Sequence, residues 1–363
     1  MNLKDILQEE ALTAVGSRHY AGVDMGTGTG KTMLGLKHMT TQYNEGALFL
    51  VVAPKSIHAE WIKQAQENGF DFLIPHINFT TYLSLYKQKH YYDYVYLDEC
   101  HNAKSKHGDW LRLYGGPVLG LTGTYPRHAT SESGQVAQEF FPKVYTFNIK
   151  EGIESNMLNN YKIYIHQLEL SPYKNIKTKN GFMSEEDNYR MHCRFVDTAK
   201  PAQVMMKRIM RMKAIQSYKT KVNYAKKLLN LQSEKTLVFA DFTEQADIIC
   251  DHSYHSKNSE SKKNLQMFKD GEITKLSSVL QIAEGANIPN LKVGIIMHAY
   301  ANEKKLRQKI GRFLRLAPND TAIIHILCYK NTVDKEWLKK ALMDFEPTKI
   351  FNYDIRKTFS VVQ

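Results

Sequence analysis

Residues 20–43 read YAGVDMGTGTGKTMLGLKHMTTQY: a β-rich run, a glycine-rich turn, then Met33, Leu34, Leu36 and Met39 spaced along one helical face. A turn of this kind between a strand and a helix is built to wrap phosphate. Gly26, Thr27, Gly28, Thr29 and Gly30 offer backbone N–H groups, Lys31 reaches the β and γ phosphates, and Thr32 offers a hydroxyl to Mg²⁺. Met25 stands where the general pattern has its first glycine. Further on, Tyr94 to Leu97 is an apolar run that ends in the adjacent acids Asp98 and Glu99. An aspartate at the C-terminal end of a strand is placed to hold Mg²⁺, and a neighbouring glutamate to polarise a water.

Outward from this turn the α/β rhythm continues. Ala47–Ala53 (ALFLVVA) is nearly all apolar, as a strand buried on both faces requires, and a polar helix follows over Ile57–Asn68. Strands are expected at 75–79, 94–97 and 118–121, which with the intervening helices predicts a parallel sheet. Composition turns small and polar near Thr130–Gly134, and Phe140–Glu151 has no strong period. A domain boundary is therefore placed near 150, with a second α/β domain over 151–345 and a tail over 346–363. The second domain carries a basic insertion at about 171–230, in which Ser171–Asp187 reads as a mobile loop. Pro201–Asn230 holds Lys207, Arg208, Arg211, Lys213, Lys219, Lys221, Lys226 and Lys227 with no acid. From Lys235 strands and helices alternate again, with a helix expected over Glu303–Leu314.

The whole chain of 363 residues is basic, with 49 Lys and Arg against 37 Asp and Glu. A net charge of +12 favours polyanionic partners without naming one. Cys100, Cys193, Cys250 and Cys328 lie far apart with no CxxC pair, which argues against a disulfide framework or a zinc ribbon. His192–Cys193 and His252 with His255 complete no four-ligand set, so no metal beyond Mg²⁺ is expected. The N-terminus has acids where a secretory signal needs a basic start, and no run of about 18 apolar residues occurs. A soluble, cytoplasmic protein with no membrane partner is expected.

MGTGTGKT and the DECH box at Asp98–His101 resemble motifs I and II of the superfamily-two helicases of DExH type. The remaining motifs follow in order. Gln8 resembles the adenine-reading glutamine, Val52–Ser56 with Trp61 resembles motif Ia, and Phe79–Tyr82 resembles motif Ib. Leu121–Thr124 is similar to motif III, Leu237–Phe242 to motif IV, Glu284–Pro289 to motif V and Gln308–Arg315 to motif VI. Motifs Ia, Ib and III are most similar to the Swi/Snf-like and phage-type DNA helicase branches.

The resemblance implies two tandem RecA-like lobes with parallel sheets, an α/β fold with an ATP site in the cleft between them. It implies ATP and Mg²⁺ as ligands, with Lys31, Asp98, Glu99, Gln308, Arg312 and Arg315 in the catalytic machinery. Arg312 and Arg315, three apart on the expected helix, would supply the γ-phosphate's missing charge stabilisation, worth roughly 10³ to 10⁵ in rate in arginine-finger systems. Pro54, Lys55, Thr80, Thr81, Gly285 and Asn287 would hold a nucleic-acid backbone, with weak sequence preference. The function implied is a monomeric, nucleic-acid-dependent ATPase that translocates on, remodels or unwinds duplex or branched DNA. An RNA helicase of the same superfamily fits these residues too, as does an ATP-gated clamp or motor subunit of a larger complex.

Overall fold

The computed structural model describes residues 3–26, 28–126, 128–147, 149–154, 159–179, 181–279, 288–300, 303–314, 320–343 and 345–353. They divide into two compact units, with the chain passing from the first to the second at 158/159. Among the described residues no helix is long and apolar enough to cross a membrane.

The first unit contains α1 (Leu3–Val15), β1 (Tyr20–Met25), α2 (Lys31–Gln42), β2 (Phe49–Val52), α3 (Lys55–Glu67), β3 (Ile77–Thr80) and β4 (Tyr94–Asp98). It continues with α4 (Ser105–Tyr114), β5 (Val118–Thr122), α5 (Glu132–Phe140), β6 (Lys143–Phe147) and α6 (Ile149–Glu154). The six strands are parallel, in the order β3-β2-β4-β5-β1-β6. Alternate side chains leave opposite faces of a strand, and the two cores follow that alternation. Phe49, Val51, Tyr94, Tyr96, Leu119 and Leu121 pack with Leu7 and Ala11 of α1, Leu34 and Met39 of α2 and Trp61 of α3. Leu50, Val52, Val95, Leu97 and Val118 pack with Trp110 and Leu111 of α4 and Val136 and Phe140 of α5. Each such fully buried side chain contributes roughly 1.5–3 kcal/mol. All the strands run the same way, so the loop after β1, Pro54, Thr81, Asp98 and Thr122 leave one edge of the sheet.

The second unit begins with β7 (Asn160–Leu168), β8 (Lys174–Thr178), β9 (Gly181–Ser184), α7 (Glu185–Asp197), α8 (Pro201–Ser217) and α9 (Lys219–Asn230). Then come β10 (Thr236–Phe239), α10 (Thr243–Ile249), β11 (Ser253–Tyr254), α11 (Ser261–Asp270), β12 (Lys275–Ser278) and β13 (Val293–Ile296). It ends with α12 (Glu303–Gly311), β14 (Thr321–Tyr329), α13 (Val333–Ala341) and β15 (Ile350–Tyr353). Seven parallel strands run β11-β12-β10-β13-β14-β7-β15, while β8 and β9 form a separate antiparallel ribbon. Val238, Ile295, Leu327 and Tyr329 carry one face of the core against Val222 and Ala225 of α9 and Ala246 and Ile249 of α10.

Four expectations change here. The segment 171–187, read as a mobile loop, forms the ribbon and the first residues of α7. Ile350–Tyr353, assigned to a tail, pair with Ile163–His166 as an edge strand. Lys221, counted in a basic face, is fully buried, bonded to Asp334 and stacked 4.7 Å from the Tyr329 ring centre. Its charge serves the core, because an ammonium taken out of water needs a partner carboxylate. The helix expected through Leu314 stops at Gly311, where the N–H groups of Arg312 and Phe313 turn to the carbonyls of Lys309 and Ile310.

Candidate active site

The turn after β1 is built around short-range bonds. Thr29 is buried and its Oγ1 donates to the Gly26 carbonyl at 2.8 Å, while the Lys31 Nζ donates to the Met25 carbonyl at 3.2 Å. Gly30 has φ +89°, a left-handed conformation that costs an L side chain about 1–2 kcal/mol. A Cβ there would also collide with the Gln8 amide nitrogen. The first helix thereby presses a buried glutamine against the loop, and the Gln8 Oε1 accepts no bond among the described residues. Thr32 is half-buried in the first turn of α2, and Thr27 lies outside the described residues.

Asp98 closes β4 with its carboxylate almost fully enclosed. Oδ1 accepts the Glu99 backbone N–H at 3.0 Å, and Oδ2 accepts the Trp61 indole N–H at 2.9 Å. Burial, and then the neighbouring Glu99 charge, push the Asp98 carboxyl up to about 6, against the pull of Trp61 and Lys31. The Asp98 carbonyl in turn accepts the Tyr82 hydroxyl at 2.8 Å. Glu99 adopts φ +53°, uncommon for a residue with a side chain and a form of backbone strain that clusters at functional sites.

The Glu99 side chain does not stand alone. Its Oε2 lies 3.2 Å from His101 Nδ1, which is also 2.8 Å from Thr122 Oγ1 and 3.0 Å from Thr124 Oγ1. The Thr124 backbone N–H donates to Thr122 Oγ1 at 3.0 Å. Between these threonines Gly123 comes so close to the first strand that a Cβ would sit 2.9 Å from the Met25 carbonyl. The acids, the histidine and the two threonines therefore form one network against the start of the phosphate loop.

At the same edge, Pro54 caps α3, Lys55 is exposed in its first turn, and Thr80 ends β3 opposite Val52 of β2. Thr80 is buried and its hydroxyl accepts the Gln88 amide at 3.3 Å, whereas Thr81 is half-buried. The structure thus brings Gln8, the loop, Asp98 and Glu99 to one sheet edge, with Pro54, Lys55, Thr80 and Thr81 alongside.

In the second unit Gln308 and Arg312 are half-buried, Gln308 within α12 and Arg312 in the turn beyond it. They are not on one helical face, because the helix ends between them; Gly is a weak helix former and Gly311 closes it. Arg315, Gly285 and Asn287 lie outside the described residues. Lys309, which the sequence did not mark as functional, is buried. Its ammonium bonds the Tyr300 hydroxyl, which donates to Asp241 Oδ1 at 2.5 Å. Burial pushes Lys309 down to about 8 even beside Asp241. Burial also works against the Asp241 charge, but the neighbouring cations and the Tyr300 hydroxyl hold that carboxyl below the usual aspartate range.

A helicase conserved C-terminal domain matches residues 220–317. The DNA 3'-5' translocase XPB2 of Sulfurisphaera tokodaii is 23% identical over 368 residues, covering 90% of this chain and 82% of that one. Residues 220–317 therefore carry a helicase-type C-terminal domain. Solved structures of low identity agree on the fold. The ATP-dependent Type ISP restriction-modification enzyme LlaBIII bound to DNA aligns with a TM-score of 0.62 at 12% identity. That alignment covers 97% of this chain and 31% of the restriction enzyme, so this chain spans about a third of its length. The Pyrococcus furiosus Hef helicase domain aligns with a TM-score of 0.52 at 13% identity, covering 93% of this chain and 99% of that domain. α12 and Lys309 fall inside the matched helicase-type region, while the acid network of the first unit lies outside it.

Proposed function

We propose that this chain is a superfamily-two helicase that hydrolyses ATP to move along, or remodel, duplex or branched DNA. The observation that carries the reading is the wiring of Glu99 through His101 to Thr122 and Thr124 beside the phosphate loop. A glutamate that only polarised water would need no such relay. One that must sense a bound polymer needs a connection to the surface where the polymer lies. The translocase relative, aligned over 90% of the chain, supports DNA as the track.

The residues fit Mg²⁺. Two adjacent buried carboxylates concentrate negative charge that a divalent cation relieves, and Mg²⁺ takes few protein ligands, completing its shell with water and phosphate. Asp98 and Thr32 are the ligands proposed. Bound there, the ion would offset charge that develops on the phosphates. Lys31 leaves the Met25 carbonyl for the β and γ phosphates, Gln8 offers its Oε1 to the adenine amino group, and Glu99 orients the attacking water. Arg312 and Arg315 supply positive charge to the transferring phosphoryl group. Lys55 and Thr81 hold the polymer backbone with Gly285 and Asn287, while Thr80, already engaged by Gln88, positions the strand end.

The test is steady-state ATPase activity with no polymer, duplex DNA, single-stranded DNA, forked DNA and RNA, with Glu99→Gln as control. Stimulation by DNA that disappears in the control supports the motor. Stimulation by RNA alone reassigns the track, and ATP binding without stimulation by any polymer leaves a clamp.

A further inference from the structure

Residues 171–184 read SPYKNIKTKNGFMS: three lysines, two aromatic residues and no acid. They form the β8–β9 ribbon, which stands apart from the seven-stranded sheet. Its register sets Ile176 opposite Met183 and Lys177 opposite Phe182, so these pairs leave opposite faces. The first pair is half-buried, and Ile176 packs on the core of the second unit with Leu170 and Tyr189. The other pair faces out, with Phe182 61% exposed and Lys177 exposed. Tyr173 is 79% exposed beside exposed Lys174, and Lys179 at the tip is exposed as well.

The ribbon is held at both ends. At its tip Thr178 Oγ1 donates to the Gly181 carbonyl at 3.0 Å. At its base Ser184 caps α7, accepting the Asp187 N–H at 3.0 Å, and Asp187 is further engaged by Arg190 at 3.3 Å. The acid that follows the ribbon is turned inward: Glu185 is buried and accepts the backbone N–H groups of Ser171 and Thr220 at 3.1 Å. The outer surface of the ribbon therefore offers flat apolar rings among lysines, with exposed Glu186 and Asp187 following it on α7. A partner that satisfies both must bring exposed π faces together with regularly spaced anions. A single nucleic-acid strand does so, its bases stacking on aromatic rings and its phosphates pairing with lysines. Duplex DNA presents the phosphates but keeps its bases stacked inside.

Resting on the nucleic-acid reading above, we propose that the β8–β9 ribbon binds single-stranded nucleic acid, with Phe182 and Tyr173 stacking on unpaired bases and Lys174, Lys177 and Lys179 on the backbone. The full chain is titrated, by fluorescence anisotropy over a range of salt, against fluorescein-labelled oligo(dT) and a blunt duplex of equal length. Phe182→Ala should weaken oligo(dT) binding by ~5- to 150-fold, leave the duplex within about twofold and be rescued by Phe182→Trp. Replacing the three lysines by glutamine should flatten the slope of log K against log salt on oligo(dT) by about 2. Unstimulated ATPase rate and melting temperature should not change, since Phe182 lies on the surface and outside the catalytic edge. Phe182→Ala binding oligo(dT) as tightly as wild type overturns the ribbon site while leaving the motor intact. Equal loss on both polymers overturns the single-strand assignment in favour of a general contact. Wild-type protein that binds neither polymer removes the ribbon site and the nucleic-acid reading together, so the two failures are distinguishable.

Discussion

Trp61→Phe removes one N–H group and leaves the aromatic ring. In the wild type that group donates to Asp98 Oδ2 at 2.9 Å, in a site where the indole is fully buried. Hydrogen bonds to charged groups are worth about 1.5–3 kcal/mol, and ~1.36 kcal/mol is a tenfold change in acidity. Burial and Glu99 already push the Asp98 carboxyl up to about 6, and Trp61 opposes them, so losing its donor raises it by at least about one further pH unit. The charged form, needed at the phosphate site, is then about half populated near pH 7. The assay is kcat/KM for ATP between pH 5.5 and 8.5, because this ratio reports the free enzyme before any ligand shifts the balance. The acid limb, which belongs to the Asp98–Glu99 pair, should move upward by about one pH unit, with activity recovering at high pH. Denaturant melts separate this from the packing loss of the smaller ring. A uniform fall at every pH, with the limb unmoved, would refute the reasoning and leave Trp61 as packing alone.

Gly30→Ala should cost the left-handed strain of about 1–2 kcal/mol and force Gln8 aside; a fluorescent ATP analogue should bind at least about tenfold more weakly, and adding Gln8→Ala should recover only the steric part. His101→Ala should cut the ratio of DNA-stimulated to basal turnover by ~5- to 150-fold, whereas both rates falling in step would contradict a relay through Thr122 and Thr124. Lys309→Met strips the partner from Asp241 and should lower the unfolding free energy by about 3–5 kcal/mol in urea melts, with Asp241→Leu added to it restoring part. Asp98 holds its proton at about 6 in the fold against 3.8 in the unfolded chain, so its contribution to stability falls as pH rises from about 4 to 6. Relative to Asp98→Asn, wild type should lose up to ~3 kcal/mol across that window without nucleotide, and a difference flat with pH would contradict the burial.

Local chemistry was legible and long-range chemistry was not. The phosphate loop could be read because strand, turn and helix follow one another within Tyr20–Gln42, and β4 because Tyr94–Leu97 is buried on both faces and so apolar up to the acid that ends it. Edge strands give no such signal. Lys143–Phe147 is exposed or half-buried at all but its last residue and Ile350–Tyr353 lies at the rim, so their sequences read as irregular or as tail. The ribbon carried a readable mark in Asn180-Gly181, a strong short-range hairpin signal, but its strands are too polar to show the usual alternation. Trp61 was visible in a motif, yet its bond to Asp98 exists because β2 and β4 are neighbours in the sheet, which no local pattern encodes. Lys309 lies within Gln308–Arg315 at a position that the motif leaves open, and only the fold shows it as a buried tether to Asp241.

The same edge collects the terms that work against folding: a carboxyl forced up beside another carboxyl, a glutamate at φ +53° and a glycine at φ +89°. Each is tolerated because what surrounds it over-determines the geometry. Trp61 is anchored in the core between α2 and the sheet, where Gly35 leaves room for its ring, so the indole N–H is already in place when Asp98 needs it. His101 is held by two hydroxyls on the neighbouring strand end, so Glu99 meets a fixed nitrogen. Donors fixed in advance require no rearrangement when charge develops, which is where electrostatic preorganisation gains its rate. Substitutions that relax the edge should therefore raise stability and lower turnover together, and a variant that raised both would show that the strain at Asp98 and Glu99 is incidental to the chemistry.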